Sequence, residues 1–267
     1  MKTWLKNTVA AAGVAVVIIG AKSVGFIGGY AASRYATPYV AGAVAGSPGQ
    51  TGDEVQINQM VSGLDTDETM GPMYKAFHEE FPSEYQAMTA EMKKVLNSGA
   101  DAEKVKAHMQ AYMQQATASL YQTIPEAPIS LQGKVIAARV ALYKHLKNQS
   151  EDVCGRVVTS GPYDGMPTDI DTLRAIGGIG TAQMRAAGAA RREPTKYPAV
   201  TDEAYSDMSK GMVTQGITQS QLAILADGKL EAATTADRCN IMIGLYDALL
   251  VLPEKTQREL LPDMLKP

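Results

Sequence analysis

Two cysteines and three histidines are all that this 267-residue chain offers of the residues that build cystine scaffolds and zinc centres. Two cysteines are too few for a disulfide-built scaffold or an all-cysteine zinc site. No His-x-Glu or His-Glu-x-x-His spacing is present, which disfavours zinc hydrolysis. Basic charge is not in excess: 25 Lys and Arg face 28 Asp and Glu, a formal charge of −3. That removes the simplest case for a nucleic-acid binder, a strongly basic chain. No alternating β-branched run and no hairpin dipeptide between such runs occurs, so a sheet fold is not expected. A Gly-x-Ser-x-Gly elbow, a Walker loop and a strand-linked Gly-x-Gly-x-x-Gly are also missing. What the chain does have is 45% hydrophobic and 20% charged residues, enough to bury a core.

The apolar residues concentrate at the N-terminus. Between Thr8 and Ser33 the only charge is Lys22. From Trp4 to Tyr30 a helix would span roughly 39 Å, close to a bilayer with its headgroups, with Trp4 and the Tyr30/Tyr35 pair at the two interfaces. The segment therefore reads as a transmembrane helix over about 5–32. Lys22 lies about two turns from the Tyr30 end, where its long side chain can snorkel towards headgroups. Ala21, Gly25 and Gly29 recur every fourth residue, a small-residue stripe that suits packing against a partner helix, with Lys22 beside it. The rival reading is a secretory signal cut near Ala21, but the apolar stretch resumes after Lys22, and a signal peptide should turn polar there.

Lys2 and Lys6 flank the segment on its short side with no acid nearby, whereas beyond Arg34 the chain is uncharged to Asp53. The positive-inside rule places the N-terminus in the cytoplasm and the C-terminal part in the periplasm or another extracytoplasmic space. Beyond residue 34 the chain keeps 21 basic against 28 acidic residues, a charge of −7. The organisation expected is a membrane anchor (1–34), a linker (35–65) rich in Gly, Ala, Pro and Ser, and an exported all-α domain (66–267).

Within that domain the pattern predicts seven or eight helices. Ser83 to Gln86 forms a capping box for a helix ending near Ser98. Asp101 caps a second helix up to Pro125, making a hairpin with the first. Ser130 opens a helix to Asn148. Residues 150–168 hold several Gly and Pro and read as loop. Thr168 caps a segment broken at Gly177, Gly178 and Gly180. Thr201 caps another helix, and Thr218 to Gln221 makes a second capping box closed by Gly228. Arg238–Leu252 is the most apolar stretch outside the anchor, and Pro253 starts a short last helix.

Few residues invite chemistry. Cys154, expected in a loop, and Cys239, on an inward helical face, should pair in an oxidising compartment. Met70, Met73 and His78, and Met109 and Met113 beside His108, are soft ligands of the type that suits Cu(I). Met88/Met92 and Met109/Met113 are nevertheless spaced i, i+4, as methionines that fill a core between helices are. Glu79, Glu80, Asp152, Asp169 and Asp171 are the acids from which a glycosidase pair would be drawn, although solvated faces and caps account for most such residues. On these grounds no catalytic, cofactor-binding or metal-ligating residue is assigned.

The segment 173–180, Leu-Arg-Ala-Ile-Gly-Gly-Ile-Gly, resembles the helix-hairpin-helix element of DNA-binding proteins. In that family a glycine turn between two helices offers backbone N–H groups to phosphates. The resemblance implies a phosphate-binding turn at Gly177, Gly178 and Gly180 with Arg185 adding charge, and hence a membrane-tethered DNA-binding module. It covers about fifteen residues, and Met184 stands where the family places a small alanine. The acidic balance makes nucleic acid an unlikely partner.

The expected function is that of a single-pass membrane protein acting through protein contacts, as an accessory or assembly subunit of a membrane or envelope complex. A cell-wall-acting enzyme is a third alternative. The orientation is directly checkable. On intact cells a membrane-impermeant maleimide should label a cysteine introduced at Ser47 and spare one introduced at Thr3.

Overall fold

A computed structural model describes residues 63–98, 100, 102–161 and 166–266. The anchor, its packing stripe at Ala21, Lys22, Gly25 and Gly29, and nearly all of the linker lie outside these residues. Among the described residues the regular structure is entirely helical, with ten α-helices and three short 3-10 turns. None of these helices is long and apolar enough to cross a membrane.

The first helix, α1 (Gly71–Glu80), has Pro72 in its opening turn, where a missing N–H costs nothing. Asp67 leads into it by accepting from the backbone N–H groups of Thr69 and Met70 at 2.8 and 2.7 Å. Sequence reading gave no helix here. Helix α2 (Pro82–Asn97) follows after Phe81 alone, and α3 (Ala102–Tyr121) packs on α2. The expected capping box at Ser83 does not form, because α2 starts at Pro82 with no side-chain cap. The cap assigned to Asp101 lies outside the described residues. Helix α4 (Ile129–Gln149) packs against four other helices, α5, α6, α9 and α10. Its buried residues, among them Val135, Ile136, Val140, Leu142 and Tyr143, therefore run round most of its circumference.

Residues 150–168, expected as loop, contain α5 (Glu151–Ser160). Ser150 caps it by accepting from Val153 N–H, and Glu151 and Asp152 sit in the first turn, where the helix dipole favours negative charge. Cys154 is consequently helical and fully buried. Helix α6 (Ile170–Arg192) corrects a second expectation. Its cap is Asp169 rather than Thr168, and it runs unbroken through Gly177, Gly178 and Gly180. Two of its glycines mark close approaches instead of breaks. A Cβ at Gly177 would lie 2.3 Å from the Thr69 carbonyl oxygen, and one at Gly188 would lie 2.1 Å from the Glu80 carboxylate.

The remaining caps fall largely where the sequence places them. Thr201 caps α7 (Asp202–Thr214). Thr218 and Gln221 form both halves of the capping box of α8 (Gln219–Ala226), and Gly228 just beyond it takes the left-handed conformation at φ +66°. Helix α9 (Thr235–Val251) contributes Cys239, Ile241, Met242, Leu245, Tyr246 and Leu249 to the core, and α10 (Glu254–Met264) follows Pro253. The methionines at 70, 73, 88, 92, 109 and 113 are all buried and fill the core between helices.

Helices α5 and α9 are joined by the Cys154–Cys239 disulfide, with the two Cα atoms 5.5 Å apart. Gly155 lets them meet, since a Cβ there would lie 2.1 Å from the Thr235 carbonyl oxygen. The bridge closes a separation of 85 residues. Removing it by a Cys154→Ser/Cys239→Ser double substitution should lower unfolding free energy by ~4 kcal/mol on the chain-entropy argument, read as a drop in urea midpoint with the slope little changed.

Candidate functional site

Between α6 and α7 the chain runs without helix or strand from Pro194 to Val200. Two prolines at four-residue spacing, Pro194 and Pro198, each bias the residue before them away from helix and cannot donate to a backbone ladder. The segment works as a strap. Thr195 N–H donates to the Glu126 carbonyl at 2.8 Å, and Tyr197 Oη donates to the Ala127 carbonyl at 2.7 Å. The Arg258 guanidinium sits over the Tyr197 ring, 5.5 Å from its centroid. Past Thr195, residues 196–200 make no backbone–backbone hydrogen bond to the described residues. Lys196, Pro198 and Ala199 are exposed.

The strap forms one wall of a groove of about 450 Å³, whose other walls come from the 3-10 turn Ile124–Glu126 and from α10. Lys196 and Lys266 face it together with Glu126, Asp263 and Glu259, so its lining carries both signs of charge. Glu259 is the unusual member. It is only 6% exposed, and its Oε2 accepts from Thr201 N–H at 3.0 Å and from Thr201 Oγ1 at 2.6 Å. Among the described residues no cation pairs with it. A buried carboxylate held by one hydroxyl and one N–H can accept a further donor from a ligand entering the groove.

The acids and histidines singled out from sequence are engaged elsewhere. Glu80 bridges α1 to α6, pairing with Arg185 at 2.9 Å and with Arg192. Arg185 also pairs with Glu79, and Arg191 with Glu84 at 2.5 Å. Burial pushes the Glu80 carboxyl upward, but hydrogen bonds from Arg192 and Arg185 outweigh it and hold the group below its ordinary value. Asp152 pairs with Arg156, and Asp171 with Arg174 at 3.3 Å.

Asp169 accepts from Thr172 N–H at 3.0 Å and from Thr172 Oγ1 at 2.6 Å, and Gln149 Nε2 donates to it at 3.0 Å. The Thr172 hydroxyl first, and then Gln149, hold its carboxyl well below the usual range. His145 approaches this cluster with Nε2 3.0 Å from Thr172 Oγ1 and 3.4 Å from Asp169. Both contacts fall on one ring nitrogen, whereas a relay through the imidazole would use the two nitrogens separately. His78 pairs with Asp65 at 3.3 Å and stacks on Tyr85, and His108 pairs with Glu91 at 2.8 Å. Neither contacts the buried methionine sulfurs in a described interaction, and no group of three His, Cys, Asp or Glu able to hold a metal occurs among the described residues.

The glycine-rich segment is not a turn. Gly177, Gly178 and Gly180 lie in the interior of α6, where their N–H groups belong to the helical ladder, and Arg185 is occupied by Glu79 and Glu80. The structural premise of the helix-hairpin-helix resemblance is therefore absent at this place. The groove was not found from sequence. Its only local signals are the Pro194/Pro198 pair and the lack of apolar period between Arg192 and Thr201.

No family model matches the chain, and no curated protein or solved structure shows significant similarity to it.

The Glu80 pairing gives the domain a defined acid response. A depressed carboxyl contributes stability that is complete above its unfolded value, near 4.5, and is lost as pH falls through its lower folded value. Glu80→Gln should cost about 1–3 kcal/mol at neutral pH, because Arg185 and Arg192 are themselves partly solvated. The difference from wild type should shrink in denaturant titrations carried out towards pH 3.

Proposed function

We propose that the chain is a single-pass membrane protein whose exported helical domain, residues 66–267, acts through protein contacts as an accessory or assembly subunit of an envelope complex. Residues 1–34 anchor it, with the N-terminus in the cytoplasm, and 35–65 tether the domain outside. In the periplasm or an equivalent oxidising space, the Cys154–Cys239 bridge is the expected state of such a pair.

The observation that carries the reading is the strap. An irregular, largely exposed segment whose backbone groups beyond Thr195 have no backbone partners among the described residues can pair with an incoming extended chain, a recurrent mode of peptide recognition. Glu259 beneath it, with no cation of its own, favours a partner segment that brings an N–H, a lysine or an arginine. The −7 charge beyond residue 34 favours the same kind of partner. The small-residue stripe at Ala21, Gly25 and Gly29 supports a second contact within the bilayer.

A photo-crosslinking residue placed at Lys196 or Ala199 of the full-length protein should give a discrete adduct with one membrane-associated protein. The same residue placed at Val213, exposed on α7, should not. Purification from membranes should recover that protein in fixed ratio. A monomer free of adducts at 196 and 199, in cells where the protein functions, defeats the proposal.

A further inference from the structure

Helix α4 carries an arginine among its buried residues. Arg139 is 2% exposed, and its Nε and Nη1 have no hydrogen-bond partner. No carboxylate among the described residues pairs with it. Guanidinium does not deprotonate in proteins, so the charge cannot be removed as it can from a buried lysine. A fully desolvated charge without a counter-charge is among the most costly arrangements a core can hold.

Three phenols share its surroundings. Tyr143 lies one turn further along α4 and stacks on Tyr246 of α9, with ring centroids 5.9 Å apart. Tyr121 closes α3. All three hydroxyls are buried and unpartnered. Burial pushes each of them above the ordinary tyrosine value, and the Arg139 charge pulls each back. They stay protonated at physiological pH, so each keeps an O–H to donate. The cluster thus consists of one permanent positive charge and three neutral hydroxyls, with no anion among the described residues to balance it.

We propose that a small monovalent anion, of halide or formate size, is bound between Arg139 and the Tyr143 and Tyr246 hydroxyls, with Tyr121 at its edge. The anion neutralises the guanidinium and accepts the orphaned O–H groups in one step. Size follows from enclosure: Arg139, Tyr143 and Tyr246 are almost wholly sealed from solvent, which leaves no path for an extended ligand. The site ties the end of α3 to the middle of α4 and to α9, so its occupancy stabilises the domain as a whole. It stands independently of the strap and its partner.

The test is thermal unfolding of the full-length protein after exhaustive dialysis into gluconate, with bromide or formate then replacing gluconate at constant ionic strength. The melting temperature should rise by several degrees and saturate, as ligand linkage requires. Arg139→Met, which keeps the apolar stem and removes the charge, should melt at a temperature indifferent to the anion. Should that variant fail to fold, Tyr246→Phe preserves shape, and it should weaken the apparent bromide affinity several-fold. Crystals grown in bromide should carry an anomalous peak at the guanidinium. Superimposable wild-type melting curves in gluconate and bromide would overturn the proposal, as would an unchanged response in both variants. A water at this place would produce the first of those results.

Discussion

The contact on which the domain's N-terminal third depends is the seat of α1 on α6. It exists because α6 lacks side chains where another element must come close. At Gly177 the Thr69 carbonyl occupies the space of a Cβ, and at Gly188 the Glu80 carboxylate does. The second approach is also electrostatic. Glu80 is drawn into the notch at Gly188 and held there by Arg185 and Arg192, three and four residues away on either side. Glycine, arginine and glutamate form one device, in which a missing side chain creates the space and two cations compensate for desolvating the acid. Helices α2 and α3 follow from it, since α2 leaves α1 after a single residue and α3 packs on α2.

This device also shows how the sequence misleads. Three glycines in four residues resemble a break, and an arginine nearby resembles a phosphate contact. The helix persists because its other positions are good formers or buried apolars, among them Ala175, Ile176, Ile179, Ala186, Ala187 and Ala190, and because packing outweighs the ~1 kcal/mol cost of each glycine. The same override explains α5. Gly155 and the polar residues around it read as loop, yet Gly155 is there to let the Thr235 backbone close in. In both places a glycine serves a neighbouring element, and single-chain periodicity carries no information about that neighbour.

What was legible is what is local. Caps at Thr201 and Thr218 need only their own next three residues, and they form as the sequence indicates. The apolar face of α9 and the methionine spacing between helices are likewise properties of single segments. The pairing of Cys154 with Cys239 was legible from the cysteine count and an expected oxidising compartment, although the backbone under Cys154 was not. The strap and its groove were illegible because they depend on three distant segments: a turn at 124–126, an irregular run at 194–200 and the last helix. The solitude of Arg139 was hidden as well. A lone arginine on an apolar helix normally finds a carboxylate, and only the packed structure reveals that none arrives among the described residues.

The disulfide and the strap have a joint consequence. Residues 194–200 are the exposed, irregular backbone that endopeptidases prefer, and they fall between the two bridged half-cystines. A nick there would leave both fragments covalently linked and the helices on either side still packed. The cut molecule would migrate as intact on a gel run without thiol and separate into two bands only after reduction.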